Sequence, residues 1–461
     1  MKPHNSFAQL HLDAPLLGNL ESLGFRQMTP IQAEALPHIL AGRDLIARAK
    51  TGSGKTVAFG LGLLQHLNLR HFAIQALVLC PTRELADQVA KELRNLARTS
   101  ANTKVVTLCG GAPFGPQVGS LEHGAHIVVG TPGRILKHLQ KQTLRLDHVK
   151  VAVLDEADRM LDMGFYDDMT AILSATPPQR QTLLFSATYP ERILELSSAF
   201  QREPLEVTVD VQHDERHITQ RFYEVEKGQR TKTLAALLAQ FRPASTVVFC
   251  HTRQQCQEVT EDLQQRGIAA LALHGDLEQK DRDLVLVRFA NRSVPVLVAT
   301  DVAARGLDIK ELEAVINYEL PRDPEVYVHR IGRTGRAGSK GMALSLFLAS
   351  EVKRVIAIEE YLGEKPVLEQ VRSLKLPEGF SLPVPMVTLC IDGGRKEKVR
   401  PGDILGALTA HEAITKEHVG KIDIFDHVAY VAVDRSVRKI ALRLLGEGKV
   451  KGRRFKARAI G

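Results

Sequence analysis

The chain has 461 residues, 44% of them hydrophobic and 25% charged, which is the composition of a globular protein with room for two to four domains. Its formal net charge of +8 at pH 7 favours a polyanionic partner. No apolar run reaches the length of a signal peptide or a membrane span, so the sequence predicts no insertion into a membrane.

The first part of the chain alternates short runs rich in Val, Ile and Leu with longer helical patterns. This alternation predicts a buried parallel sheet covered by helices. The predicted strands are Asp44–Ala49, Ala76–Cys80, Val105–Cys109, His126–Gly130, Val151–Asp155 and Thr182–Ser186. The alternation of strand-like and helical patterns stops between Leu205 and Ile218. We therefore assign residues 1–207 to a first domain and residues 208–218 to a linker.

A second α/β domain is predicted over residues 219–370. Its strands are Ser245–Cys250, Ala269–His274, Val294–Thr300, Ala314–Tyr318 and Met342–Leu348. Chemistry in open parallel sheets occurs at the C-terminal ends of the strands. Candidate functional residues fall at such ends in both domains, and two such edges facing each other would form a cleft.

Prolines and glycines between Leu374 and Pro385 separate a third, small domain at residues 380–461. Its elements suggest an α+β domain of order β-α-β-β-α-β. They are strands at Met386–Ile391, Lys421–Ile424, Val428–Val433 and Phe455–Ala459, and helices near Arg400–Leu408 and Arg435–Leu444. This domain holds 16 Lys and Arg against 9 Asp and Glu, and is therefore the basic part of the chain. Its tail favours a polyanion contact, with a merely solvated tail as the alternative.

Two motifs make an ATPase the leading interpretation. The run from Ala49 to Thr56 reads Ala-Lys-Thr-Gly-Ser-Gly-Lys-Thr. Its glycines let backbone N–H groups approach phosphate, Lys55 adds charge, and the Thr56 hydroxyl can ligate Mg²⁺. The apolar strand Val151 to Leu154 ends in adjacent carboxylates, where a metal-bound triphosphate needs one acid near Mg²⁺ and another for the attacking water.

Five cysteines, at positions 80, 109, 250, 256 and 390, form no Cys-x-x-Cys pair. We interpret them as small buried hydrophobic residues in a reducing compartment.

Over residues 7 to about 350 the chain resembles the DEAD-box ATP-dependent RNA helicases. The resemblance is carried by an ordered series of motifs: Gly24–Gln32, Ala49–Thr56, Pro81–Ala86, Gly110–Gly111, Thr131–Arg134, Asp155–Asp158, Ser186–Thr188, Val248–Arg253, His274–Asp276, Thr300–Asp308 and His329–Arg336. It implies two tandem RecA-like parallel-sheet domains, followed here by the small α+β domain. ATP, Mg²⁺ and RNA are the implied ligands, whereas DNA is not expected.

The resemblance also implies roles at the ATP site. Asp155 holds Mg²⁺ through water together with Thr56, Glu156 orients or deprotonates the attacking water, and Arg333 and Arg336 act as arginine fingers. Gln32 reads the adenine and Phe7 stacks on it, although Phe7 could instead pack against the protein surface. The remaining ATP-binding candidates are Gln27, Thr51, Gly52, Ser53, Gly54, Lys55 and Asp308. Coupling between ATP and RNA is assigned to Asp158, Ser186, Thr188 and His329, and Arg330 is expected to be structural.

For the RNA, the resemblance implies contacts to phosphates and 2′-OH groups that are indifferent to base. The alternative is that these turns merely end strands. The candidates in the two α/β domains are Pro81, Thr82, Arg83, Gly110, Gly111, Thr131, Gly133, Arg134, Thr252, Arg253, Gly275 and Thr300, and those in the basic tail are Lys449, Lys451, Arg453 and Arg454.

Residues 380–461 resemble the RNA-recognition-like domain of DbpA-type helicases, through Val387–Gly394, Arg400–Asp403 and Gly420–Ile422. This implies binding to a 23S rRNA hairpin of the peptidyl-transferase region within a pre-50S particle, in the cytoplasm. The strand at Val428–Val433 has Tyr430 as its one aromatic residue, so its sheet is a poor platform for stacking bases. Whether Tyr430 belongs to the core or contacts RNA stays open.

Two other activities fit part of the pattern. One is an ATP-gated RNA clamp with little unwinding, which the motifs do not exclude. The other is a DNA translocase, which the combination of the Gln motif and the Asp-Glu-Ala-Asp motif disfavours.

Overall fold

The computed structural model describes residues 5–49, 53–100, 102–189, 191–209, 218–304, 312–335, 340–410 and 412–460. These residues divide into two compact units, which we call the first unit (5–209) and the second unit (218–460). The predicted site residues Thr51, Gly52, Asp308 and Arg336 lie outside the described residues, as do residues 210–217 of the expected linker. Within the described part, no helix is both long and apolar enough to cross a bilayer.

The first unit contains a seven-stranded parallel sheet of order β3-β4-β2-β5-β6-β1-β7. Its strands are β1 Leu45–Arg48, β2 Ala76–Leu79, β3 Val105–Leu108, β4 Ile127–Gly130, β5 Val151–Asp155, β6 Gln181–Ser186 and β7 Leu205–Thr208. Its helices are α1 Ala14–Ser22, α2 Pro30–Leu40, α3 Lys55–Gln65, α4 Arg83–Leu96, α5 Phe114–Glu122, α6 Pro132–Gln140, α7 Ala157–Asp162, α8 Tyr166–Ser174 and α9 Glu191–Phe200. Two apolar clusters, one on each side of the sheet, bury its strands.

One strand of this sheet contradicts the sequence prediction. The sequence ends the strand pattern at Leu205, but β7 pairs in parallel with β1 along Leu205–Thr208. As an edge strand β7 has one neighbour, and only Val207 of its four residues is fully buried. An edge strand therefore needs no continuous apolar run, which is the signal that identified the central strands.

The second unit begins with another seven-stranded parallel sheet, of order β10-β11-β9-β12-β13-β8-β14. Its strands are β8 Ile218–Glu224, β9 Thr246–Cys250, β10 Ala270–Leu273, β11 Val296–Thr300, β12 Ala314–Asn317, β13 Gly341–Phe347 and β14 Leu368–Glu369. Its helices are α10 Arg230–Phe241, α11 Arg253–Gln265, α12 Gln279–Ala290, α13 Asp301–Ala304, α14 Pro324–Ile331 and α15 Val352–Leu362. The five predicted strands are present, whereas β8 and β14 were not predicted.

The C-terminal part of the second unit is a four-stranded antiparallel sheet of order β16-β17-β15-β18. It consists of β15 Met386–Ile391, β16 Val419–Ile424, β17 Ala429–Asp434 and β18 Ala457–Ile460, with helices α16 Pro401–Thr409 and α17 Arg438–Glu447. Both helices pack on one face of this sheet. Together with the two parallel sheets, this arrangement confirms the predicted fold class.

The other face of the antiparallel sheet packs against α12. Cys390 and Tyr430 form an apolar cluster with Val287, and Leu284 packs at its margin. The Thr388 hydroxyl accepts a hydrogen bond from Asn291 Nδ2 at 3.2 Å and shares another with Ser293 Oγ at 2.7 Å. Tyr430 is only 7% exposed, so it belongs to a buried core rather than to an open face that stacks bases.

All five cysteines are buried free thiols, as expected. Burial raises the pKa of Cys109 to about 12 and raises that of Cys80, so these thiols stay protonated near neutral pH.

Candidate functional site

The phosphate loop leads from β1 into α3. Gly54 precedes Lys55 with φ of 97°, a left-handed conformation suited to glycine. A Cβ at Gly54 would lie 2.5 Å from Nε2 of Gln32, so the side chain of Gln32 also excludes a larger residue there. Ser53 and Thr56 flank this turn and are partly buried. The loop thus brings its lysine and hydroxyls to the start of a helix, where the backbone N–H groups favour an anion.

Lys55 and Asp155 meet at the C-terminal end of the central strand β5. Lys55 Nζ lies 3.4 Å from Asp155 Oδ1, and both side chains are buried. Burial raises the pKa of Asp155, and the charge of Lys55 opposes that rise. Asp155 Oδ1 has no hydrogen-bond partner among the described residues. A buried carboxylate oxygen whose neighbour is the Lys55 ammonium, together with the hydroxyl of Thr56 next to Lys55 in the chain, fits a hard cation that takes oxygen ligands.

The described residues contain no cluster of three or more His, Cys, Asp or Glu side chains suited to a metal. Mg²⁺ usually takes only one or two protein carboxylates and completes its shell with phosphates and water. The donor set of Thr56 and Asp155 therefore fits Mg²⁺ bound with a nucleotide.

The chain turns sharply at Glu156, between β5 and α7. Its φ is 56°, a left-handed conformation that is uncommon for a residue with a side chain. The buried Glu156 carboxylate accepts a hydrogen bond from Arg159 Nη1 at 2.7 Å. Arg159 was not singled out from the sequence, although a basic residue three positions after a helix-starting glutamate is a recognisable signal.

Asp158 connects this turn to the Ser-Ala-Thr segment after β6. Its Oδ2 accepts hydrogen bonds from the backbone N–H groups of Ala187 and Thr188 at 3.0 and 3.1 Å. The Ser186 hydroxyl accepts from the Asp158 N–H at 3.3 Å and donates to the Thr188 carbonyl at 2.6 Å. Three of the four predicted coupling residues are therefore in contact, whereas His329 lies on α14 of the second unit.

The predicted adenine-binding residues differ in exposure. Gln32 is buried; its side-chain oxygen accepts from the Thr29 N–H at 2.9 Å, and its Nε2 donates to the Gly54 carbonyl at 3.1 Å. Gln27 is exposed in the loop before α2. Phe7 is 4% exposed and packs into the apolar core of the first unit.

The Gly-Gly turn after β3 is shaped by Arg83. Arg83 Nη1 donates to the Gly110 carbonyl, and Gly111 has φ of 74°. A Cβ at Gly111 would lie 1.7 Å from Arg83 Nη1, so a side chain there would displace the guanidinium. Thr82 begins α4 by accepting from the Leu85 N–H, and the preceding Pro81 is buried. The two motifs therefore form one local structure.

The Thr-Pro-Gly-Arg turn after β4 joins the same edge. The Thr131 N–H donates to the Leu108 carbonyl at 3.1 Å, and Gly133 is exposed at the first turn of α6. Arg134 Nη1 donates to the Ala112 carbonyl at 3.0 Å and to Gln117 Oε1 at 2.9 Å. All RNA-binding candidates of the first unit thus lie at the C-terminal edge of its sheet, and Gln117, which the sequence did not identify, lies beneath them.

In the second unit, Thr252 begins α11 by accepting from the Gln255 N–H, and Arg253 pairs with Asp276, which follows the exposed Gly275. The buried Thr300 hydroxyl accepts from the Ala303 N–H at 3.4 Å. These residues also follow the C-terminal ends of their strands.

Two arginines of α14 and the turn after it are buried. Arg330 pairs with Asp301 through Nε at 2.6 Å and Nη2 at 2.7 Å, and its Nη1 donates to the Glu319 carbonyl at 2.7 Å. Those contacts agree with the structural role expected of Arg330. Arg333, one of the two predicted fingers, is also buried in this unit.

The basic tail lies on the surface of the antiparallel sheet domain. Its predicted RNA-binding residues Lys449, Lys451, Arg453 and Arg454 are exposed. Lys451 Nζ donates to the Lys398 carbonyl at 2.8 Å, which joins the tail to the basic loop at residues 395–400.

A strand-end aspartate paired with a phosphate-loop lysine, within one of two similar parallel sheets, defines a nucleoside triphosphatase with tandem RecA-like folds. Three family models match the chain: DEAD/DEAH box helicase over residues 29–196, Helicase conserved C-terminal domain over 229–338, and DbpA RNA binding domain over 388–459.

Individual proteins similar to this chain belong to the same family as these models. The chain is 52% identical over 462 residues to ATP-dependent RNA helicase DbpA of Escherichia coli (strain K12), covering 99% of each chain. It is 44% identical over 356 residues to DEAD-box ATP-dependent RNA helicase CshA of Bacillus subtilis (strain 168), covering 77% of this chain and 72% of that one. The solved structure of S. cerevisiae Dbp5 bound to RNA and ADP BeF3 matches with a TM-score of 0.72 and 29% identity, covering 80% of this chain and 96% of that one. The chain therefore belongs to the DEAD-box ATP-dependent RNA helicases, and it carries a DbpA RNA binding domain.

Proposed function

We propose that this helicase couples ATP hydrolysis to local separation of RNA strands in 23S rRNA, during assembly of the large ribosomal subunit in the cytoplasm. The observation that carries the proposal is the match of residues 388–459 to the DbpA RNA binding domain, next to a helicase core. We assign ATP binding to residues 1–207, the second RecA-like domain to residues 219–370, and delivery to the rRNA hairpin to residues 380–461.

For ATP, the buried Lys55 would bind the β- and γ-phosphates, and Ser53 and Gly54, with Thr51 and Gly52, would surround them. Thr56 and Asp155 would hold Mg²⁺, Asp155 through water, and the bound ion would neutralise charge on the phosphates. Glu156 would orient or deprotonate the attacking water, with Arg159 fixing its carboxylate. Arg333 and Arg336 would stabilise charge on the γ-phosphate, and Asp308 would contact the ribose.

For RNA, the turns that contain Arg83, Gly111 and Arg134 would bind the sugar-phosphate backbone of a single strand. Their contacts with one another support this role, because they fix several backbone N–H groups and guanidinium donors along one edge. Contacts of this kind carry no base information. Thr252, Arg253, Gly275 and Thr300 would extend the binding surface.

The C-terminal domain would bind its hairpin away from the sheet face, because α12 covers Cys390 and Tyr430. The exposed basic segments, including the tail at Lys449–Arg458, remain for phosphate contacts. A sheet without free aromatic residues favours recognition of RNA shape rather than stacking on unpaired bases.

ATP hydrolysis by the full chain, activated by 23S rRNA, 16S rRNA or homopolymer RNA, tests the proposal. Truncation is a poor choice, because it would expose Leu284 and Val287 on α12. Instead we would replace Lys449, Lys451, Arg453 and Arg454 with Gln, and use Gln at the exposed Lys227, Lys232, Lys353 and Lys365 as the matched control.

We expect 23S rRNA to be the strongest activator, and its half-saturating concentration to rise about tenfold in the tail variant only. Equal activation by all three RNAs would contradict the 23S assignment while leaving the helicase class intact. Tight RNA binding without displacement of a short complementary strand would instead favour an RNA clamp.

A further inference from the structure

Gln117 joins two of the proposed RNA-binding turns from below. It lies in the first turn of α5 and is 8% exposed. Its Nε2 donates to the Cys109 carbonyl at 3.0 Å, immediately before the Gly-Gly turn. Its Oε1 accepts from Arg134 Nη1 at 2.9 Å and faces His138 Nε2 at 3.0 Å. One buried amide group therefore contacts the loop after β3 and two residues of α6.

The chemistry of its neighbours fixes the orientation of this amide. The Cys109 carbonyl can only accept, so the NH₂ group of Gln117 must face it, and the side-chain oxygen must face Arg134 and His138. His138 is fully buried, and burial lowers its pKa from 6.5 to about 4, so near pH 7 it is neutral. A neutral imidazole has one N–H, and at Nε2 that N–H donates to Gln117.

These contacts set the position of Arg134. Its Nη1 is shared between Gln117 Oε1 and the Ala112 carbonyl, and its guanidinium lies 5.8 Å from the Phe114 ring centroid. A planar guanidinium held at one nitrogen by two acceptors has a fixed orientation, so the directions of its other donors are also fixed. Gln117 itself is too buried to take part in a phosphate contact.

We infer that Gln117 is a positioning residue for RNA binding, which fixes Arg134 relative to the Gly-Gly turn so that both meet one RNA strand together. The inference rests on the proposed RNA-binding role of Arg134. It predicts that loss of the Gln117 amide weakens RNA binding as loss of Arg134 does, without affecting ATP binding in the absence of RNA.

The chain offers a close control for the general effect of removing a buried amide. Gln201 is also 8% exposed and makes three hydrogen bonds, to the Leu45 carbonyl, the Thr182 carbonyl and Ser197 Oγ. It lies near the N-terminal ends of β1 and β6, at the edge of the sheet opposite to Arg134. Gln117→Met and Gln201→Met therefore make the same chemical change at two equally buried sites.

The experiment uses the full chain and measures fluorescence anisotropy of a labelled oligouridine with a non-hydrolysable ATP analogue present. Gln117→Met is expected to raise the RNA Kd about tenfold, and Gln201→Met to leave it unchanged, because only the former frees a guanidinium that binds phosphate. RNA-stimulated ATP hydrolysis should show a higher half-saturating RNA concentration and a retained kcat for Gln117→Met. Urea unfolding of both variants records the loss of stability that they share.

A double-variant cycle distinguishes the possible failures. If Gln117 acts through Arg134, then Gln117→Met should have little further effect in an Arg134→Ala background. If Arg134→Ala weakens RNA binding but Gln117→Met does not, or if the two effects add in full, the inference is wrong. If Arg134→Ala has no effect, the proposed RNA-binding edge itself is wrong.

Gln117→Glu is a second test variant if Gln117→Met does not fold. The glutamate retains an oxygen facing Arg134, but when ionised it places a second oxygen, which cannot donate, against the Cys109 carbonyl. The link to the Gly-Gly turn is then lost, and the RNA Kd is expected to rise as it does for Gln117→Met. An RNA Kd for Gln117→Glu equal to that of the parent would also overturn the inference.

Discussion

Gly111 illustrates how the space around one residue determines the shape of the proposed RNA-binding edge. It has a left-handed backbone with φ of 74°, and a Cβ there would overlap Arg83 Nη1. Gly42 has nearly the same φ, 75°, but a Cβ there would meet no atom within 4 Å. Alanine substitutions at Gly42 and Gly111 therefore distinguish the effect of backbone strain from the effect of displacing Arg83.

We therefore expect Gly42→Ala to lower the free energy of unfolding by about 1 kcal/mol, through left-handed strain alone. Gly111→Ala should lower it further and should also raise the RNA Kd, because the Arg83 guanidinium must move. Urea unfolding and oligouridine anisotropy measure the two effects. Equal RNA affinity in both variants would show that the position of Arg83 is unimportant for RNA.

The Glu156 carboxylate supports a second prediction at the residue scale. Glu156→Gln keeps the size of the side chain and can still accept from Arg159 Nη1, whose bond to Glu156 measures 2.7 Å. Binding of ATP and RNA should be retained, whereas turnover at saturating RNA should fall by about 10²–10⁴ because the amide is a much weaker base. Unchanged turnover would contradict the role assigned to Glu156.

At the scale of elements, α5 and α6 are joined through His138. Its ring stacks on Phe114 with centroids 4.1 Å apart, and its Nδ1 lies 2.8 Å from Thr143 Oγ1. Burial, with smaller effects of Arg134 and Lys137, lowers its pKa to about 4. The folded protein therefore disfavours the imidazolium.

This lowered pKa makes the helix pair sensitive to acid. A histidine whose folded pKa lies below its unfolded value stabilises the protein fully above pH 6.5, and this contribution is lost as the pH falls towards 4. We expect the unfolding free energy to fall by no more than about 1.4 kcal/mol per pH unit from this group. His138→Gln should show a shallower loss between pH 6.5 and 4.5, while His126, which also has a lowered pKa, titrates in both proteins. If the unfolding free energy of the parent and of His138→Gln falls equally between pH 6.5 and 4.5, the lowered pKa of His138 is contradicted.

The elements also show what the sequence could predict. Central strands such as β5 are flanked on both sides and are continuous apolar runs, so their positions and the carboxylates after β5 followed directly from the sequence. Edge strands β7 and β14 have one neighbour each and carried no such signal. Gln117 was missed for a different reason: a lone glutamine is informative only when Cys109, Arg134 and His138, distant in sequence, are known to surround it.

At the scale of the whole molecule, an ATP-dependent RNA helicase must make its two ligands dependent on each other. We propose that one step of this coupling lies in the first unit, where Asp158, three residues after Asp155, holds the Ser186–Thr188 segment by hydrogen bonds. Coupling free energies are reciprocal, so RNA must tighten ATP binding by the same factor by which ATP tightens RNA binding.

We predict that Ser186→Ala reduces this shared factor, which we expect to be about 5–150-fold in the parent protein, towards unity. The reason is that the alanine loses the hydroxyl that links the Asp158 N–H to the Thr188 carbonyl. ATP binding without RNA, and RNA binding without nucleotide, should change little.

Ser197→Ala is the matched control, because Ser197 is also buried and its hydroxyl donates to Gln201 Oε1, away from the nucleotide. For each variant, the measurement is the affinity for a non-hydrolysable ATP analogue with and without RNA, and the affinity for RNA with and without that analogue, by fluorescence anisotropy. These four affinities give the coupling factor twice, once from each ligand. If Ser186→Ala keeps the full factor while Ser197→Ala does too, the coupling must pass through other residues, and the role assigned to the Ser-Ala-Thr segment fails.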